Sequence, residues 1–267
     1  MQPIKVMFLN PVGSDAYDAF MADWIKAYKY PNTEAHVTSF DPARIGPITN
    51  LEYRTYEAMV TPEIVRATRQ AAQEGFDALV IGCFYDTALL DAREISGEMV
   101  VVAPCHASIE TALTLANNFS IIVGQYKWVH QMHNTVRHYG FADKLMSFRH
   151  VDMNVVEFQQ DHERTRNRLV AAGRKAVEED HAESLILGCT LETGFYKELQ
   201  AELGVPVIDP SIAAFKAAEH AAQLKHLCDW RPSRMWSCEA PPEWELTEFA
   251  LFRQPYQFGN RIVVPQT

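Results

Sequence analysis

The chain is short of the features that would place it in several large functional classes. Positive charge is in the minority: 24 lysines and arginines stand against 34 aspartates and glutamates, a formal net charge of -10. Nucleic-acid binders are as a rule basic, so this balance argues against a phosphate-backbone partner. Hydrophobic runs are short. Ile4-Lys5-Val6-Met7-Phe8-Leu9 falls far below a membrane span and lacks the apolar region and cleavage site of a signal peptide. The expectation is a cytoplasmic protein with no membrane partner. Cysteine is scarce: Cys83, Cys105, Cys189, Cys228 and Cys238 are odd in number and widely spaced, which does not suit a disulfide framework. No CxxC pair offers zinc ligands, so no metal is expected there. Glycine-rich phosphate loops are missing, and no GxSxG elbow supports a serine hydrolase.

What is present is a composition of 48% hydrophobic and 22% charged residues over 267 positions. That is ordinary for a globular protein of one large domain or two lobes, with a core that needs no metal or disulfide. Strand-like and helix-like segments alternate. Ile4–Leu9, Ala35–Phe40, Phe76–Gly82, Met99–Ala103, Phe119–Val123, Leu145–Val151, Ser184–Leu187 and Val205–Ile208 read as strands. Residues 15–29, 160–179 and 211–227 read as helices, and Thr61-Pro62 reads as an N-cap with proline at the first helical position. Continuous apolar runs separated by helices imply βαβ units and parallel sheets covered on both faces.

An internal repeat organises this alternation. Asp77-Ala78-Leu79-Val80-Ile81-Gly82-Cys83 matches Glu183-Ser184-Leu185-Ile186-Leu187-Gly188-Cys189. Cys83 precedes Pro104 by 21 positions, and Cys189 precedes Pro210 by the same 21. The fold expected is therefore α/β, two similar lobes with parallel sheets flanked by helices, pseudo-twofold related, with the active site in the inter-lobe cleft. The lobes are drawn as residues 1–115 plus 211–227 and residues 116–210. Residues 228–267 form an aromatic extension, with Trp230, Trp236, Trp244, Phe249, Phe252, Tyr256 and Phe258, that wraps onto a lobe or a neighbouring subunit.

Ligands of parallel α/β sheets bind outside the carboxyl ends of the strands, where Gly82-Cys83 and Gly188-Cys189 both lie. A lone strand-end cysteine is most often core. Two at equivalent points of a repeat suggest a pair of opposed acid/base thiols, one removing an α-proton and the other returning one. A thiol near a helix N-terminus ionises more easily. Asn10, Ser14, Thr190 and the amides beside each cysteine are candidates to stabilise the resulting enolate.

The motifs that carry this reading resemble the aspartate/glutamate/hydantoin racemase superfamily. Asn10-Pro11-Val12-Gly13-Ser14 is similar to its Asn-Pro opening. Gly82-Cys83-Phe84-Tyr85-Asp86 with Ala92-Arg93-Glu94 resembles the hydantoin racemase segment. Leu187-Gly188-Cys189-Thr190 with Gly204-Val205-Pro206-Val207-Ile208-Asp209 is shared across the superfamily. The resemblance covers most of residues 1–225. It implies racemisation of a small amino-acid-like compound, a 5-substituted hydantoin or related ureide, with no cofactor, in a homo-oligomer. Aspartate/glutamate-type racemisation is the alternative, then decarboxylation or cis–trans isomerisation on the same scaffold, and last a non-catalytic small-molecule binder. Departures fall at Tyr85, where hydantoin racemases carry glycine, at Cys105-His106, where they carry Gly-Glu, and in the aromatic tail.

Phe84, Tyr85, His106 and Tyr126 complete the expected substrate contacts, with Lys127 beside Tyr126. His106 is equally readable as an ordinary helix-start histidine, and Cys105 as structural. Asp86 reads as a helix cap. Glu192 either orients a group in the cleft or stands on the surface. His130, His133 and His138 read as a solvated or interface face.

Overall fold

A computed structural model describes residues 3–267 of the chain. The elements alternate as the sequence reading anticipates: β1 Ile4–Asn10, α1 Asp18–Tyr28, β2 Thr33–Ser39, α2 Pro42–Ile45, α3 Arg54–Gln73, β3 Ala78–Ile81, α4 Leu89–Ile95 and β4 Val100–Val102. They continue with α5 Pro104–Leu115, β5 Phe119–Val123, α6 Tyr126–His138, β6 Leu145–His150, α7 His162–Glu178, β7 Leu185–Leu187, α8 Tyr196–Leu203, β8 Val207–Ile208 and α9 Pro210–Cys228. α10 Glu243–Glu248 and β9 Arg261–Val264 lie in the C-terminal extension.

Two sheets form. One has the order β4-β3-β1-β2-β9 and the other β6-β5-β7-β8. β1 to β8 pair only in parallel; β9 joins antiparallel to β2. Removing β9 leaves one connectivity used twice, with β5, β6, β7 and β8 in the places of β1, β2, β3 and β4. In each sheet the strand order reverses between the first and third strands, and the carboxyl end of that pair is where such folds bind ligands.

Composition explains the parallel pairing. Val6, Met7, Phe8 and Leu9 in β1, Leu79, Val80 and Ile81 in β3, and Leu185, Ile186 and Leu187 in β7 are fully buried. Each such side chain contributes about 1.5–3 kcal/mol on burial, so these strands are held only where helices cover both faces. Trp24 of α1 packs edge-on against Phe8 and Phe215, with ring centres 5.5 and 6.0 Å away.

The chain divides into two compact units, at boundaries different from those drawn on the sequence. The first holds the chain up to Gly82, Thr87–Val102 and Phe215–Thr267; the second holds Cys83–Asp86 and Ala103–Ala214. Residues 83–86 and α5 therefore go with the second unit rather than with residues 1–82. The reason is local bonding: Asp86 accepts hydrogen bonds from the Cys105 and His106 amides at 2.8 and 3.0 Å and from Tyr139 Oη at 2.8 Å. Helix α3 also departs from expectation. It starts at Arg54, not at Pro62, which it carries inside. Proline there removes a single backbone donor, while Glu57, Val60, Glu63 and Ile64 keep a continuous buried face across it.

The extension packs on the first unit. β9 pairs Arg261–Val264 with Ala35–Thr38 and so covers the otherwise open edge of β2. Arg261 forks onto Glu74 at 2.6 and 3.1 Å, and Arg69 stacks 4.7 Å from the Phe252 ring. Asn260 donates to Asp18 Oδ2 at 3.0 Å, and its carbonyl accepts from Thr38 Oγ1 at 2.6 Å. Deleting residues 259–267 would uncover β2. The expected result is a melting temperature lower by about 5 °C in calorimetry, with particle size in light scattering rising with concentration more steeply than in the intact chain.

Candidate active site

The two strand-end motifs are built alike. The Gly82 amide donates to Leu9 O at 2.8 Å, and the Gly188 amide donates to Ile122 O at 2.7 Å. A Cβ on Gly82 would lie 2.9 Å from Leu9 O and 2.8 Å from the Phe8 ring; on Gly188 it would lie 2.6 Å from Ile122 O. Backbone carbonyls cannot give way as side chains can, so only glycine fits. Each cysteine follows at once. The residue three positions on closes a turn by donating its amide back to the cysteine carbonyl: Asp86 to Cys83 at 3.0 Å, Glu192 to Cys189 at 2.9 Å. Cys83 is half-buried and Cys189 buried, neither is in a disulfide, and both belong to the second unit.

In each sheet the helix after the fourth strand, α5 or α9, begins at proline, and its first amides need an acceptor. At α5 the acceptor is Asp86, reaching the amides one and two residues past Pro104. The expected cap is thus made, though to α5 rather than to α4. Burial pushes the Asp86 carboxyl up to about 6, against the opposing pull of the Cys105 amide, Tyr139 and the His106 amide. At α9 the same two positions, Ser211 and Ile212, donate to Asp209 Oδ1 at 3.1 and 3.2 Å. Asp209 also accepts from Thr193 Oγ1 at 2.6 Å and the Gly194 amide at 2.9 Å. Its carboxyl is raised by burial, which these donors oppose. Sequence reading missed Asp209 as a cap, although Asp209-Pro210 has the form of one.

The remaining expected residues divide by unit. In the first, Asn10 ends β1; its amide donates to Asp18 Oδ1 at 3.0 Å and reaches Ser14 O at 3.5 Å, and Ser14 lies in that same loop. In the second, Phe84 is buried and Tyr85 half-buried. His106 is half-buried, its ring edge-on to Tyr139 at 4.8 Å and its Nδ1 3.4 Å from Glu110. Thr190 is buried, and its carbonyl accepts from Ser211 Oγ at 3.2 Å. Tyr126 is 71% exposed and lines a groove with Phe148, His150, Arg168 and Lys175 that neither Cys83 nor Cys189 lines. Cys105 is buried, and its thiol is pushed well up by burial. Among the described residues no three His, Cys, Asp or Glu side chains gather as a metal-holding group, and His130, His133 and His138 are exposed on α6. No helix among those residues is long and apolar enough to cross a membrane.

The doubled sheet module, with its glycine–cysteine turn repeated at the switch position, defines a two-lobe α/β protein of the kind that carries paired strand-end cysteines. Comparison with known proteins gives the family. The sequence model of Asp/Glu/hydantoin racemases matches residues 6–218, and this chain belongs to that family. A hydantoin racemase from Paenarthrobacter aurescens is 32% identical over 241 residues, 90% of this chain and 98% of that protein. Among solved structures, allantoin racemase from Klebsiella pneumoniae superposes with a TM-score of 0.78 at 25% identity, over 90% of this chain and 94% of that one. Allantoin racemase from Pseudomonas fluorescens has the same fold, with a TM-score of 0.79 at 21% identity over 89% and 97% of the two chains.

Two predictions follow from the geometry. Gly188→Ala forces the Cys189 turn away from β5. It should cost about 2 kcal/mol of stability, as overpacking does, and, by displacing the Cys189 turn, lower turnover by about a hundredfold; calorimetry and steady-state kinetics measure both. Asp86 binds its proton more tightly folded than unfolded, so the folded state holds more protons between about pH 4 and about pH 6. The Asp86 contribution to stability should fall as pH rises through that window and level off above it. Asp86→Asn should flatten that segment of a melting-temperature profile.

Proposed function

We propose that this chain is a cofactor-independent racemase of 5-substituted hydantoins or related cyclic ureides, with Cys83 and Cys189 as its two acid/base groups. The observation that carries the reading is the duplicated glycine–cysteine turn: the same strand end, the same glycine contact and the same closing hydrogen bond, twice, with both sulfurs in one compact unit. Family membership supports the class of reaction. The names of the relatives, hydantoin racemase and allantoin racemase, support a ureide over an acyclic amino acid.

In this reading one sulfur is a thiolate and the other a thiol. The thiolate takes the α-proton, leaving its electron pair as an enolate spread over the adjacent ring carbonyl. The other thiol delivers its proton to the opposite face of the same carbon and becomes the thiolate. The protein returns with the roles exchanged, ready for the reverse reaction. A free thiol ionises near pH 8.5, close enough to neutrality for both halves of this exchange. A ring carbon beside a carbonyl is acidic enough to need no electron sink beyond hydrogen-bond donors. We assign Phe84, Tyr85, His106 and Thr190 to the surroundings of the reacting ring, and place the protein in the cytoplasm as a homo-oligomer, where its thiols stay reduced.

The test is incubation with a panel of chiral hydantoins and amino acids in D2O, followed by NMR and chiral chromatography. The expected result is deuterium at the α-carbon of a hydantoin together with loss of optical activity. Cys83→Ser and Cys189→Ser should each slow racemisation by about a thousandfold. Absence of deuterium from every hydantoin would overturn the ureide reading, and full racemisation by either serine variant would overturn the two-thiol mechanism.

A further inference from the structure

The two turns carry an acid at the same position but use it differently. Asp86 lies three residues after Cys83, and its carboxyl caps α5. Glu192 lies three residues after Cys189 with the same backbone bond, yet the amides equivalent to those of Cys105 and His106 are taken by Asp209. Glu192 has been relieved of the capping role that its counterpart performs. It is nonetheless 0% exposed, and neither carboxyl oxygen has a hydrogen-bond partner. The amides of Gly188 and Cys189 face it, but neither meets hydrogen-bond geometry with it, and the Gly188 amide is committed to Ile122 O at 2.7 Å. The turn around it is firmly held: Gln159 Nε2 donates to Leu191 O at 2.7 Å and to Thr193 O at 3.2 Å. A buried carboxyl without partners, in a turn this well anchored, calls for a role.

We propose that Glu192 is a positioning residue for Cys189, governing from behind the Gly188–Cys189 backbone whether that sulfur carries its proton. Burial holds the Glu192 carboxyl well above the usual carboxylate range; the two amides oppose this and the charge of Asp209 adds to it. A carboxyl so raised keeps its proton to higher pH, and while protonated it sets no charge against a thiolate at Cys189. Once ionised, it would put a negative charge against the cysteine backbone and hold the proton on sulfur. The charged group acting on it is Asp209 from the β8–α9 junction, while Cys189 of its own turn bears on it through the backbone amide. Asp86 is spent on α5, so the two thiols have unlike carboxyl neighbours, and on this proposal that is what sets them apart. A racemase whose sulfurs must occupy opposite protonation states has a use for that asymmetry. The inference rests on the racemase reading for its purpose, but its test does not.

The test is residue-resolved alkylation of the intact protein by iodoacetamide across a pH series, read by mass spectrometry. Glu192→Gln keeps the shape and removes the titration. It should move the midpoint of Cys189 alkylation down by about half a pH unit, roughly a threefold gain in thiolate below the midpoint, and leave the profiles of Cys83 and Cys105 in place. A Cys189 profile coincident with that of the unsubstituted protein would overturn the proposal. Should the variant not fold, isotope-edited infrared spectroscopy of the unsubstituted protein decides. A protonated carboxyl band from Glu192 should persist near neutral pH, and its loss on raising the pH should come earlier once Cys189 is alkylated. A carboxylate already ionised near neutrality, or a transition unmoved by alkylation, would overturn it. Alkylation reads the sulfur whether or not any substrate is racemised, so failure of deuterium exchange and failure of this coupling are separate outcomes.

Discussion

The position of each glycine–cysteine turn depends on a single backbone contact, the amide of a strand-end glycine against a carbonyl near the end of the first strand of its sheet. At 2.8 Å from Gly82 to Leu9 and 2.7 Å from Gly188 to Ile122, the approach leaves no volume for a side chain. The strand behind each glycine is immobilised by burial on both faces, and the turn after it is closed by its own hydrogen bond. The cysteine between these two constraints has little freedom. Short turns at the ends of rigid strands hold a side chain with less mobility than loops further from the sheet could.

Three buried carboxyls lie at or beside these turns in the second unit, and donor count separates them. Asp209 has Thr193, Gly194, Ser211 and Ile212; Asp86 has Cys105, His106 and Tyr139. Glu192 has no hydrogen bond to either oxygen. A charge removed from water is tolerated in proportion to the dipoles that replace its hydration. Asp86 accordingly rises only to about 6, whereas Glu192 rises well above its normal range. The helix N-termini at α5 and α9 add favourable positive potential for the two acids that touch them. Duplication of the module thus supplied two equivalent positions, and divergence at a single place, Ala103 against Asp209 before the helix proline, changed which acid serves the helix.

Much of this was legible in the sequence because it is local. Phe119–Val123 reads as a strand with the bounds it has, since a short, mostly apolar run between helices suits a strand covered on both faces. The repeat was legible because Gly-Cys and the proline beyond it are fixed by contacts within one βαβ unit. What could not be read is what distant chain segments decide. Asp86 joins the second unit through amides 19 and 20 residues away. The start of α3 was misplaced because Pro62 mimics a helix beginning, while the buried face that overrides it is set by packing. Glu192 is open to two readings in the sequence, and its full burial removes the one that stands it on the surface. Strand β9, Arg261–Val264, has no place in the strand–helix alternation that marks the other strands, and its pairing depends on the open edge of β2.

That edge also explains why an extension so rich in aromatics bonds so specifically to the first unit. Without β9, β2 would present a row of unpaired amides and carbonyls, which aggregation-resistant sheets must cover. Hydrogen bonding along β9 alone would satisfy that need. The extension does more: Asn260 approaches Asp18 from one side while Asn10, at the carboxyl end of β1, holds it from the other, at 3.0 Å each. Asp18 is fully buried, so losing either amide would leave part of a buried carboxyl unsatisfied, at a cost of about 1–3 kcal/mol. The loop carrying Asn10 and Ser14 is therefore braced by a residue more than 240 positions away. Sealing a sheet edge and bracing the end of its first strand are one act, because the strand that does the sealing begins one residue after the side chain that does the bracing.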